Sequence, residues 1–166
     1  MVTLLVSDVR KCMNELLVKD RFDFFLLQEA TVSTFSTFTI DGHRIDDFYT
    51  DTELEEIDEG DTLMPYEMYR GHIYDIIKGN KTPVSFKIIL SLPNRIVTQL
   101  ITASELSIKP EGTHLVVIFR FSPGSLTVTT GISLSEFTMD KSLEKAFDKW
   151  IMKFLASVGI DVERQA

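Results

Sequence analysis

Hydrophobic residues in this chain change period repeatedly, from two to about 3.6 and back. Val84, Phe86, Ile88, Leu90 and Leu92 alternate with their neighbours, the pattern of a strand with one buried face. Further on, Leu143, Ala146, Phe147, Trp150, Ile151, Phe154 and Leu155 recur at three- and four-residue steps. Lys141, Glu144, Lys145, Asp148 and Lys149 lie opposite, and Gly159 supplies a stop. Between the two, residues 114–121 and 126–134 read as strands around the turn-forming Ser122-Pro123-Gly124-Ser125. Interleaved periods of this kind describe an α+β fold, a mostly antiparallel sheet with helices. A length of 166 residues supports one core, so we expect a single domain over residues 1–166. The last helix should lay Leu143, Phe147, Trp150, Ile151 and Phe154 on the sheet.

Residues 2–6 read as a buried strand, followed by a helix capped by Ser7 or Asp8 and faced by Val9, Cys12, Met13, Leu16 and Leu17. From Phe22 to Ile40 the composition favours strands, with a bulge or short turn near Ser36. Asp41-Gly42 is a two-residue hairpin signal, which predicts a returning strand over residues 43–49. Pro65 and Gly79 bracket a helix carrying Met68, Tyr69, His72, Ile73, Ile76 and Ile77. Pro93 ends the alternating strand, and Ile96, Val97, Leu100 and Ile101 suggest another short helix.

Strand-then-helix occurs twice at a constant offset of 84 residues, relating Ser7 to Ser91, Cys12 to Ile96 and Leu16 to Leu100. An internal duplication of a β-α-β-β-β unit, spanning residues 2–49 and 84–137, is one reading. Two unrelated β-α-β-β stretches are the other. The element order resembles one domain of the sliding DNA clamps, which bears on fold more than on function.

A net charge of −8 conceals an uneven distribution. Residues 46–61 hold nine carboxylates and no base, so the rest of the chain is +1. Only that strip repels phosphate at close range. The longest apolar run, Leu115-Val116-Val117-Ile118-Phe119, falls far short of the roughly 20 residues a membrane helix needs. The start of the chain lacks the features of a signal peptide, and the single Cys12 suits a reducing compartment. A cytoplasmic location is the expectation.

In Phe38-Thr39-Ile40-Asp41-Gly42-His43, Ser85-Phe86-Lys87-Ile88 and Thr129-Thr130-Gly131 the chain resembles an uncharacterised family of small Gram-positive bacterial proteins. The likeness extends from the first helix to Asp140-Lys141-Ser142-Leu143. It implies a bacterial domain of unknown function and carries over no catalytic or binding residue.

Read singly, the candidate sites are weak. His43 with Asp46 and Asp47, or His72 with Asp75, offers metal-ligand chemistry without a recognised spacing, and His114 stands alone. The acidic strip fails the calcium-loop pattern, because Glu56 and Thr62 occupy the sixth and twelfth positions counted from Asp51. Gly79-Asn80-Lys81-Thr82 ends like a phosphate loop but lacks the earlier glycine and strand. Cys12 reads as a core residue, and Ser122 and Ser125 belong to no nucleophile elbow. Phe22, Phe24 and Phe25 read as core, with Phe24 able to mark a contact surface. Thr31, Thr34, Thr37, Thr39, Thr127, Thr129 and Thr130 read as solvent-facing strand positions.

No catalytic, cofactor-binding or metal-binding residue is therefore assigned, and the reading leans away from an enzyme. A non-catalytic interaction module, meeting a protein partner through a strand edge or the acidic strip, is the leading expectation. One alternative is a clamp-like nucleic-acid-associated protein, which requires Arg10, Lys11, Lys19 and Arg95 to share a surface. Another is a small metal-dependent hydrolase built on His43, Asp46 and Asp47. No membrane partner is expected.

Overall fold

A computed structural model describes residues 1–57, 62–136 and 138–165. Its elements run β1 (Thr3–Val6), α1 (Val9–Leu17), β2 (Leu26–Ser33), β3 (Thr37–Asp41), α2 (Asp51–Glu55), α3 (Glu67–Ile77), β4 (Ser85–Ser91), α4 (Asn94–Ala103), β5 (His114–Ser122), β6 (Ser125–Ser133), α5 (Ser142–Ser157) and β7 (Val162–Arg164). The seven strands form one antiparallel sheet in the order β3-β2-β4-β5-β6-β1-β7. The chain is thus an α+β protein. Among the described residues no helix is long and apolar enough to cross a membrane.

Alternation along each strand sorts side chains onto two faces. In register, Ile40, Ala30, Ile88, Phe119, Val128 and Leu4 form a row across the helix side. All but the edge residue Ile40 are buried. Cys12 and Leu16 of α1, Ile73 of α3, Val97 of α4 and Phe147 and Ile151 of α5 cover that side. Phe22 sits at the centre of an aromatic cluster, edge-on to Phe119 at 5.4 Å and to Phe154 at 5.3 Å. On the opposite face the next row reads Thr39, Thr31, Lys87, Arg120, Thr127 and Leu5, all half-buried or exposed. Helices therefore cover one face of the sheet, and the other is open.

Several expectations need correction. The hairpin between β2 and β3 turns at residues 34–36, where the Thr34 amide donates to the Ser36 carbonyl at 2.9 Å, and not at Asp41-Gly42. Gly42 is needed for a close approach instead. A Cβ there would stand 1.8 Å from the Leu27 carbonyl oxygen, and Met64 joins the same two residues, accepting from the Leu27 amide and donating to the Gly42 carbonyl at 2.9 Å each. No strand spans residues 43–49; a 3-10 turn, Asp46–Phe48, takes their place. Phe22, Phe24 and Phe25 lie in turns before β2 and supply core from there. Val84 stays outside β4 and is exposed.

Trp150 is half-buried at the margin, stacked on Phe154 at 5.4 Å, while Leu143, Phe147, Ile151 and Leu155 fill the core. Thr130 is 1 % exposed, and its hydroxyl donates to the buried Asp148 carboxylate at 2.6 Å while accepting from the Val2 amide at 2.9 Å. Alternation forces this, since Thr129 and Thr130 cannot share a face.

α1 and α4 each follow a strand, as the 84-residue offset expects. Strand pairing does not repeat, however. β4 lies beside β5, whereas three strands separate β1 from β2. Neighbour relations in the two stretches therefore differ, and the pairing gives no support to a duplication. Residue 137 and residues 58–61 of the acidic strip lie outside the described residues.

Candidate functional site

β3 forms one margin of the sheet, and its hydrogen bonds alternate in direction. The Gly42 amide donates to the Gln28 carbonyl at 3.1 Å, and the Thr34 amide bonds Ser36 at the other end. Between these anchors the ladder to β2 falls on residues 38 and 40. The N–H and C=O groups of Thr37, Thr39 and Asp41 consequently point outward, and among the described residues no strand pairs with them. Natural edge strands are usually guarded by a lysine, a proline or a bulge. This one, Thr37-Phe38-Thr39-Ile40-Asp41, carries only a terminal aspartate.

The turn end of β3 adds apolar surface. Phe35 is 92 % exposed and meets Phe38 edge-on at 5.6 Å. On the helix side, Phe35, Phe38, Ile76 and Val84 line a groove of about 650 Å³, rimmed by Lys78 and Lys81. Lys78 is paired to Asp75 at 3.1 Å. Gly79-Asn80-Lys81-Thr82 forms the loop that leads from α3 towards β4 beside this groove, so it does not join a strand to a helix as a phosphate loop does.

Past the other end of β3 begins the acidic strip. Asp41 accepts from the His43 amide at 2.9 Å, and its carboxylate lies 2.6 Å from His43 Nδ1. Those two contacts, the amide first, hold the Asp41 carboxyl below the usual carboxylate range. Arg44 Nε donates to Asp46 at 2.6 Å. Thr50 and Glu53 close a capping box at 3.2 and 3.0 Å, which explains a helical turn within a run of like charge. Among the carboxylates, Ile45 and Phe48 are exposed, Phe48 to 82 %.

Elsewhere the structure separates most of the residues singled out from sequence. His43, His72 and His114 are exposed on different segments. Among the described residues no three His, Cys, Asp or Glu side chains converge as metal ligands. Lys11 and Lys19 turn to Glu15, at 3.3 and 3.1 Å, with Arg21 at 3.8 Å, while Arg10 and Arg95 are exposed on two different helices. Glu15 is only 2 % exposed; burial disfavours its charge, but the lysine ammonium groups outweigh burial and hold its carboxyl below the ordinary range. Burial, and secondarily Glu15, pushes the Cys12 thiol up to about 12, so it is no nucleophile at neutral pH. Lys87 and Arg120 stand directly opposite each other on the open face, with Glu29 two residues from Thr31 in the neighbouring strand.

Sequence reading missed the exposed Phe35, with the half-buried Phe38 beside it, as a surface feature. A signal was present: the two aromatics break the alternation of the strand around them. Residues 15–163 match the model of a family of unknown function, DUF5721. No curated protein and no solved structure matches the chain.

Proposed function

The chain belongs to DUF5721, a family of unknown function, and from the geometry of its sheet margin we propose that it is a non-catalytic protein-interaction module. It takes an extended segment of a partner protein as an eighth strand beside β3. The outward-facing amides and carbonyls of Thr37, Thr39 and Asp41 carry this reading. Main-chain bonds would supply affinity, and alternate side chains pointing to the helix side would enter the groove beside Phe38 and Ile76. A cytoplasmic setting accords with the one buried thiol. The clamp-like reading loses support because Lys11 and Lys19 are engaged by Glu15. The hydrolase reading loses it because Asp46 is held by Arg44.

The test is selection from a random nonapeptide library on sparsely immobilised protein. Peptides should be enriched on the wild type and lost on Thr39→Pro, which removes one outward N–H and leaves the ladder to β2 intact. Peptides retained equally by both proteins would place the binding elsewhere and sink the proposal.

A further inference from the structure

The two ends of β3 differ in a way that fits a second copy of the same strand. At the Thr37 end lie exposed apolar surface, Phe35 and Val84, and a groove rim in which Lys78 and Lys81 outweigh Asp75, leaving it net positive. Beyond the Asp41 end lie exposed apolar surface, Ile45 and Phe48, and the described carboxylates Asp46, Asp47, Asp51 and Glu53. We infer that β3 pairs antiparallel with β3 of a second copy about a twofold axis at Thr39, joining two sheets into one. This rests on the strand-capture reading above and names its partner.

Pairing Thr39 with Thr39 of the second copy sets Thr37 opposite Asp41 in both directions. The outward-facing groups of residues 37, 39 and 41 then satisfy one another throughout. On the helix side Phe38 falls opposite Ile40, twice, an aromatic against a β-branched residue. No carboxylate falls directly opposite another.

The axis also brings each cationic end of one copy to the acidic end of the other. Ile45 and Phe48 of one molecule are thereby carried towards Phe35 and Val84 of its mate. One operation thus sets the exposed apolar ends of the two strands against each other, and it keeps the Asp46 and Asp47 carboxylates of the two copies at opposite ends. A twofold contact closes on itself, so an unguarded edge would end as a dimer rather than a growing fibre.

Sedimentation velocity on the full chain, from 1 to 200 μM at about 0.15 M salt where surface charges are screened beyond roughly 8 Å, tests this. A concentration-dependent dimer is expected, with slowed hydrogen exchange at the Thr37, Thr39 and Asp41 amides as it forms. Thr39→Pro should be a folded monomer by circular dichroism. Lys78→Glu with Lys81→Glu should weaken dimerisation by about two- to fivefold for each surface pair lost. A wild type that stays monomeric at 200 μM while library peptides still bind β3 overturns the second-copy assignment and leaves the strand-capture reading standing. A dimer that persists in Thr39→Pro overturns the assignment too. Neither dimer nor peptide binding overturns both.

Discussion

At one margin of the sheet β7 presents three residues, Val162–Arg164, two of them charged, tied to β1 by the Ser7 and Gln165 amides at 2.9 Å each. At the other, β3 presents five residues whose only charge is the final Asp41. β7 is therefore short and charged, the ordinary way to discourage further pairing. β3 has neither protection, and Phe35 stands exposed at its turn. Comparable backbone chemistry thus has opposite consequences, decided by side chains and strand length. On β6, two strands in from β7, Thr130 and Asp148 close inward on each other, while at the β3 margin the outward groups stay open.

The largest effect should come from removing the floor on which both margins rest. Phe22→Ala should destabilise by about 3–5 kcal/mol, because the ring is fully buried between Phe119 and Phe154. Urea unfolding measures it, and a loss below about 1 kcal/mol would mean that the two halves of the sheet do not share this core.

Glu15 links the two sides, since α1 follows β1 whereas Lys19 and Arg21 belong to the turn leading into β2. Glu15→Gln should cost about 1.5–3 kcal/mol at neutral pH, the range for charge-assisted hydrogen bonds. The folded carboxyl titrates below its unfolded value, so its contribution is complete above the unfolded pKa and is lost as pH falls through the folded one. The gap between variant and wild type should therefore narrow on acidification. A gap independent of pH would remove the electrostatic explanation.

Thr130→Val should cost about 1–3 kcal/mol by leaving the Asp148 carboxylate without its hydroxyl donor. No matching loss is expected from Thr39→Val, whose hydroxyl lies on the open face. Equal melting-temperature shifts would erase the contrast between an inward-closing and an outward-opening margin.

Proline substitution gives the smallest effect and the sharpest comparison. Glu163 bonds inward to β1, in step with the Gln165 amide, so Glu163→Pro should lose roughly 0.5–1.5 kcal/mol with its ladder bond. Thr39 bonds outward, so Thr39→Pro should stay within about 0.5 kcal/mol of the wild-type monomer. Chemical denaturation at low protein concentration decides this, and the reverse order would show that the directions along the two margins have been misassigned.

Period carried much of this architecture. The alternation of Phe86, Ile88 and Leu90 and the stripe of Leu143, Phe147 and Ile151 fall where the pattern puts them. Non-local closeness was not encoded so openly. Asp41-Gly42 has the composition of a tight turn, but the glycine answers to the Leu27 carbonyl of another strand, and no local pattern reports such a contact. Trp150 belongs to an apolar stripe broader than the surface that covers it, so stripe membership overstated its burial. Strand order was also beyond reach, because β1 joins β6 across more than a hundred residues. The outward edge of β3 follows from register and end bonds, neither of which composition specifies. Its residues were visible, but their direction was not.

His43 bridges Leu63, the Arg44 amide donates to the Thr62 carbonyl at 2.9 Å, and the Met64 amide donates to the Gly42 carbonyl at 2.9 Å. The stretch between residues 44 and 62 thus departs and returns through a single stitched neck. Lengthening a loop already closed at its base costs little, about 0.6 kcal/mol for each doubling. Relatives should therefore differ in length here before they differ anywhere in the sheet. A reporter domain spliced directly after Ile57, past the hydrogen bonds of α2, should leave the strands in register, making the acidic strip a natural insertion point.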